Sequence, residues 1–184
     1  MASPYVHSTH LSNTHSFSKT YTPSITLLTG VGVQGDCHSG TKNQKSSQST
    51  TDSSTPNLRQ VHLIPYELFT ELRAQNFVIQ PGELGENITT TGIDLLGLAK
   101  GSYLYFGSGD DVPIVQVTGL RRPGPGIEKH KEGLLDKVLL RDGAGRTICK
   151  AGIMGVVVKG GKVNTGDMIR VVEPQGRKVG LEPV

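Results

Sequence analysis

Glycines cut this chain into pieces too short for long helices. They recur at Gly30, Gly32 and Gly35, at Gly82 and Gly85, at Gly119, Gly124 and Gly126, and at Gly152, Gly155, Gly160, Gly161 and Gly166. With Gly 24 and Pro 10 among 184 residues, turns replace part of the usual apolar content. What lies between the bends has strand length: Ile25 to Leu28, Val61 to Ile64, Tyr103 to Phe106, Val112 to Thr118, Gly152 to Val158 and Val163 to Val172. The pattern predicts a mainly β chain with a few short helices, and the length fits one domain at roughly 100–200 residues per domain.

Local readings follow. Arg59 to Ile64 alternates, with Val61 and Leu63 on one side and Gln60 and His62 on the other. Pro65 suits a first helical position, and Tyr66, Phe69 and Leu72 recur at helical spacing through about Gln75. Residues 103–118 read as a hairpin, as do residues 152–172. The stretch from Gly119 to Gly126 reads as irregular, and Leu134, Leu135, Val138 and Leu139 as a second helical segment. Residues 1–14, rich in Ser, Thr and His, read as a tail whose histidines are solvated. Residues 41–58 hold no aliphatic side chain before Leu58 and read as a mobile loop inserted in a domain of residues 15–174, with 175–184 as a C-terminal tail.

Lys+Arg 19 against Asp+Glu 16 gives a formal charge of +3, without a basic cluster longer than Arg121-Arg122, so no nucleic-acid partner is expected. No apolar run approaches the roughly 18 residues that cross a bilayer, and the first residues lack a signal-peptide core. A soluble cytoplasmic protein without a membrane partner is the expectation. Cys37 and Cys149 form no CxxC pair, and reduced thiols are expected.

Walker A, HExxH and GxSxG patterns are absent. What the chain offers instead is a dispersed set of polar residues framed by glycine: Asp36 and His38; Arg59, Gln60 and His62; Glu86 and Asn87; Thr118 and Arg121; and Lys150. Each also has a plainer reading. Arg59 and Glu86 can pair as ions at a strand end, Asp36 can build a turn, His62 can be a satisfied interior histidine, and Lys150 and Lys129 can be solvated.

Taken in order, Gly35-Asp36 with His38 and Gly40, Asn57-Leu58-Arg59-Gln60-Val61-His62-Leu63, Gly82-Glu83-Leu84-Gly85-Glu86-Asn87-Ile88-Thr89, Thr118-Gly119-Leu120-Arg121-Arg122-Pro123, and Ala151-Gly152-Ile153-Met154-Gly155 with Gly166-Asp167 resemble a MOSC domain, the family named for the C-terminal domain of molybdenum cofactor sulfurase. The resemblance runs from about His15 to Val172. It implies a closed or partly closed β-barrel of mixed strands with a few short helices, and a groove for molybdenum cofactor lined by these bends. Such a cofactor carries a phosphate and a pterin. Arg59 and Arg121 would then meet the phosphate, and Glu86, Asn87, Gln60 and Thr118 the pterin edge, with Asp36, His38, His62, Gly124 and Lys150 also in the cofactor-binding set.

The resemblance breaks at one position. Where many relatives have cysteine directly after the Arg-x-Pro run, as metal ligand or sulfur carrier, this chain has Gly124, which offers no donor. Cys37 and Cys149 are candidates for a migrated catalytic thiol, against the plainer reading of two packed side chains. The resemblance therefore implies either a sulfur-carrier or molybdenum-dependent reductase, with an electron or sulfur donor protein as partner, or a non-catalytic module that binds cofactor or a small anion. Pyridoxal phosphate, associated with the full sulfurase, is not expected, because no separate domain of that type is present.

Overall fold

The computed structural model describes residues 3–42 and 55–184. In chain order it contains β1 (Tyr5–Leu11), β2 (Thr20–Thr22), β3 (Ser24–Leu28), β4 (Gly32–Val33), β5 (Val61–Pro65), α1 (Tyr66–Ala74), β6 (Ile88–Thr91), β7 (Tyr103–Phe106), β8 (Ile114–Leu120), α2 (Pro125–His130), α3 (Leu135–Val138), β9 (Leu139–Arg141), β10 (Thr147–Cys149), β11 (Ile153–Lys159), β12 (Gly161–Asn164) and β13 (Ile169–Val172).

The fold is mainly β with short helices. Eight strands form one sheet in the order β13-β7-β8-β11-β5-β6-β1-β2, accompanied by β12-β3-β4 and by the pair β9-β10. The large sheet is mixed: β5 runs parallel to β6, whereas β5 and β8 both run antiparallel to β11. Its order has two ends, so among the described residues no ladder closes into the expected barrel. The first strand nevertheless meets the approach to the last, through a bridge between Tyr5 and Met168 and the bonds Val6 N to Asp167 O and Ile169 N to Pro4 O, both 2.8 Å.

Two apolar clusters flank β5. Val61 and Leu63 join Val6, Leu104, Phe106, Val115 and Ile153 in one, while Ile64 joins Leu68, Phe69, Leu72, Ile127 and Leu134 in the other. Every residue from Val61 to Ile64 is consequently buried, and the face read as polar meets the second cluster and the candidate site. Pro65 ends β5 in extended geometry and stands just before α1 instead of inside it. The helix stops at a Schellman turn. Asn76 takes the left-handed conformation at φ 65, with Asn76 N bonded to Arg73 O at 3.0 Å and Phe77 N to Leu72 O at 2.9 Å.

Four sequence expectations need correction. Over its described part, the segment expected as a tail at 1–14 is none, because β1 lies between β6 and β2 with Val6 and His10 buried, and Thr9 Oγ1 donates to Thr22 O at 2.6 Å. Residues 152–172 are no hairpin. Both edges of β11 are taken by β8 and β5, so β12 pairs with β3 and β13 with β7. The Pro/Gly-rich stretch yields α2, since Pro125 begins a helix directly after Gly124. The C-terminal residues lie along β8, where Leu120 N bonds Glu182 O at 2.8 Å and Val184 N bonds Leu120 O at 3.2 Å. As for the loop expected over 41–58, residues 43–54 lie outside the described residues; its ends are tied by a bridge between Lys42 and Pro56.

Gly30, Gly32 and Gly35 also have the G-x-G-x-x-G spacing of a dinucleotide turn. They lead from β3 into β4, not into a helix, so the context that gives the pattern its phosphate-binding meaning is missing.

Candidate functional site

The bends converge. A cavity of about 280 Å³ is lined by residues from six stretches of the chain: Ser16, Phe17 and Lys19; His38; Asn57, Arg59 and His62; Leu84, Gly85 and Asn87; Arg121; and Met154. Two glycines let these stretches close up. Gly82 and Gly85 have φ of 91° and 83°, and a Cβ on them would lie 2.6 Å from Lys19 O and 2.7 Å from Phe17 O. Any other residue would push the 17–19 segment away. Lys19 N bonds Gly82 O at 2.8 Å, and Ser18 Oγ donates to Glu83 O at 3.1 Å, which fixes the contact.

Behind the cavity lies a paired ionic centre. Lys19 Nζ and Asp36 Oδ2 are 2.8 Å apart with both side chains almost completely enclosed. Asp36 also accepts from His38 N at 3.0 Å, Asn87 Nδ2 at 3.0 Å and Ser12 N at 3.3 Å, and its Oδ1 lies 3.3 Å from His38 Nδ1. Burial pushes this carboxyl's pKa up, but the hydrogen bonds from His38 and the Lys19 charge outweigh it, leaving the group below the ordinary carboxylate range. Asn87 extends the network by accepting from His62 N at 3.2 Å.

The cavity wall differs in kind. Arg59 and Arg121 both face it, and neither takes part in an ion pair among the described residues. Burial lowers the Arg59 pKa; burial, with the charge of Arg59 added to it, brings Arg121 down to about 10. Their backbone is clamped. Thr118 Oγ1 donates to Leu58 O at 2.7 Å, Asn57 Oδ1 accepts from Arg59 N at 2.9 Å, and Arg121 N bonds Gly152 O at 2.9 Å. His62 lines the same cavity, its Nε2 2.7 Å from Ala151 O, and burial followed by the Arg121 charge lowers its pKa to about 3. It is a neutral, hydrogen-bonded wall of the cavity.

Of the residues singled out from sequence, the structure brings Arg59, Arg121, His38, His62 and Asn87 to the cavity, with Asp36 directly behind. It places the others elsewhere. Glu86 is fully enclosed and makes no pair with Arg59; its Oε1 accepts from Gly82 N and from Thr89 Oγ1 at 2.9 Å, and burial raises its pKa. Gln60 spans Gly30 O at 2.8 Å and Val157 N at 3.0 Å, and Thr118 holds Leu58, so these two position the neighbours of Arg59. Lys150 pairs with Glu71 away from the cavity. Gly124 precedes α2, and a Cβ there would meet nothing within 4 Å. Cys149 is buried in β10, whereas Cys37 is half-buried beside His38, with Sγ 3.1 Å from Nδ1. Sequence reasoning missed Lys19, Phe17 and Met154. A single lysine in a Ser/Thr-rich stretch carries no pattern by which to find it.

Residues 38–170 match the family model described as the MOSC domain. The chain belongs to the MOSC domain family. Among solved structures, this MOSC domain is similar to the YuaD protein from Bacillus subtilis, at 23% identity with a TM-score of 0.72, over 95% of this chain and 98% of that one. It is also similar to YiiM from Geobacillus stearothermophilus, at 15% identity and a TM-score of 0.61 over 92% and 75% of the two chains. YiiM from Escherichia coli gives 18% and 0.59 over 97% and 73%. At these identities the likeness shows the fold alone. No curated protein matches by sequence.

Proposed function

We propose that this MOSC domain binds an anionic, phosphorylated ligand of the molybdenum-cofactor type, with Arg59 and Arg121 holding the phosphate. The observation that carries this reading is the pair of guanidiniums lining one cavity, Arg121 half-buried and Arg59 exposed, both without a carboxylate partner among the described residues. Holding two like charges at one cavity is costly, and a phosphate bound by both would offset that repulsion with charge-assisted bonds. At about 280 Å³ the cavity stands at the small end of ligand sites, which run from roughly 300 to 1,000 Å³.

The donors fit the phosphorylated part of such a group better than its metal. Arg59 and Arg121 would take the phosphate, while Lys19 and Asn87, both bonded to Asp36, would form the wall behind it. When bound, the cofactor supplies redox or sulfur-transfer chemistry at its metal. No thiol lines the cavity among the described residues, and Gly124 supplies none. Binding is therefore the reading supported over sulfur carriage or reduction.

Protein made in a cofactor-competent host should contain pterin, detected by fluorescence after oxidation, and the metal-free protein should bind inorganic phosphate. Replacing both Arg59 and Arg121 by alanine should abolish both. Neither pterin nor phosphate in the wild type, or binding that survives the double replacement, would overturn the proposal.

A further inference from the structure

We propose that His15, Cys37 and His38 form a site for a zinc-type divalent cation at the rim of the anion cavity, with one coordination position left open. One ligand atom from each residue lies within 4.8 Å of the other two. Neighbouring ligands around a tetrahedral zinc stand roughly 3.3–3.7 Å apart, given Zn–S near 2.3 Å and Zn–N near 2.0–2.1 Å. Small side-chain rotations close the difference.

The convergence is built by the backbone. Consecutive side chains usually diverge, yet the turn closed by Ser39 N to Asp36 O at 3.1 Å brings Cys37 Sγ and His38 Nδ1 together at 3.1 Å. Cys37 N bonds Ser12 O at 2.8 Å and Ser12 N bonds Asp36 Oδ2 at 3.3 Å, which ties the segment leading to His15 onto the same turn. His15 then meets the His38 ring edge-on, with centroids 5.5 Å apart. Asp36, itself held by Lys19, sits 3.3 Å from His38 Nδ1 and so anchors the ring beside Cys37 and His15.

Two imidazoles and one thiolate suit a borderline-soft ion such as zinc. Three protein ligands leave a fourth position for water or an anion. His38 and Ser16, the neighbour of His15, both line the cavity, so the cluster borders the same cavity that Arg59 and Arg121 line. The bound ion and one thiolate would add a single positive charge there.

The full chain, free of any added histidine tag and kept reduced, is titrated with Co²⁺ and then Zn²⁺. A near-ultraviolet thiolate-to-cobalt charge-transfer band should appear, and Zn²⁺ should bleach it. Cys37→Ser should remove the band, His15→Ala should weaken Zn²⁺ binding about tenfold or more, and Cys149→Ser should change neither. No band in the wild type, or a band that survives Cys37→Ser, would overturn the site. Arg59 and Arg121 are not ligands in it, so their double alanine variant should keep the cobalt spectrum while losing phosphate, which separates a failure here from a failure of the anion reading.

Discussion

Lys19 and the Arg59–Arg121 pair are neighbouring cations on one cavity with opposite circumstances: Lys19 is buried, whereas Arg121 is half-buried and Arg59 exposed. Lys19 is answered by Asp36 at 2.8 Å, and that carboxylate is further satisfied by His38, Asn87 and Ser12. The two arginines press on one another with no carboxylate to answer them among the described residues. A charge that the chain itself neutralises belongs to the architecture, whereas one left unanswered at a cavity marks where something from outside fits.

The contrast is most strongly tested at Asp36. Asp36→Ala leaves the Lys19 ammonium buried alone and should cost about 3–5 kcal/mol in urea denaturation; a double variant, Lys19→Met with Asp36→Leu, should recover much of that. If the single variant is neutral, Lys19 is no more structural than the arginines. The next effect comes from pH. His62 titrates near 3 when folded against 6.5 ordinarily, so between those values the unfolded chain takes up a proton that the native state refuses. Stability should therefore fall by on the order of 3 kcal/mol as pH drops from 6.5 to 4. His62→Gln should flatten this slope in melts followed by circular dichroism, leaving the part due to His10, whose pKa is lowered to about 4 by burial and by the His7 and Lys19 charges. Asp36 acts lower on the scale: its contribution is complete above the ordinary value of 3.8 and is lost as pH falls below it.

Arg121→Ala should weaken phosphate binding by about 1.5–3 kcal/mol in calorimetric titration while leaving stability unchanged or raised. A large loss of stability would put Arg121 in the same class as Lys19. The smallest effect is expected at Thr118→Val, which removes the bond to Leu58 O and should cost about 1 kcal/mol of stability with little change in phosphate affinity.

Much of the architecture could be read from the chain because local rules and tertiary packing agree there. Tyr66, Phe69 and Leu72 at helical spacing gave α1, and Tyr103 to Thr118 gave the β7–β8 hairpin. Where they disagree, the reading failed. β1 looks disordered because its Ser, Thr and His carry no apolar pattern and its backbone is satisfied only by β2 and β6, and the partners of β12 and β13 depend on β11 having both edges filled. At the site, the bends around Arg59, Asn87 and Arg121 were visible as glycine-framed polar residues. Whether a polar residue faces the cavity or braces its wall was not, since Gln60 and Arg59 are adjacent in sequence and differ only in direction.

The six stretches around the cavity run from Ser16 to Met154 and touch both apolar clusters through their strands. A molecule lodged among them would work as a noncovalent staple, linking most of the polypeptide at a single point. Its affinity would then be readable from melting alone, since each tenfold excess over the dissociation constant adds about 1.4 kcal/mol to the stability of the entire domain.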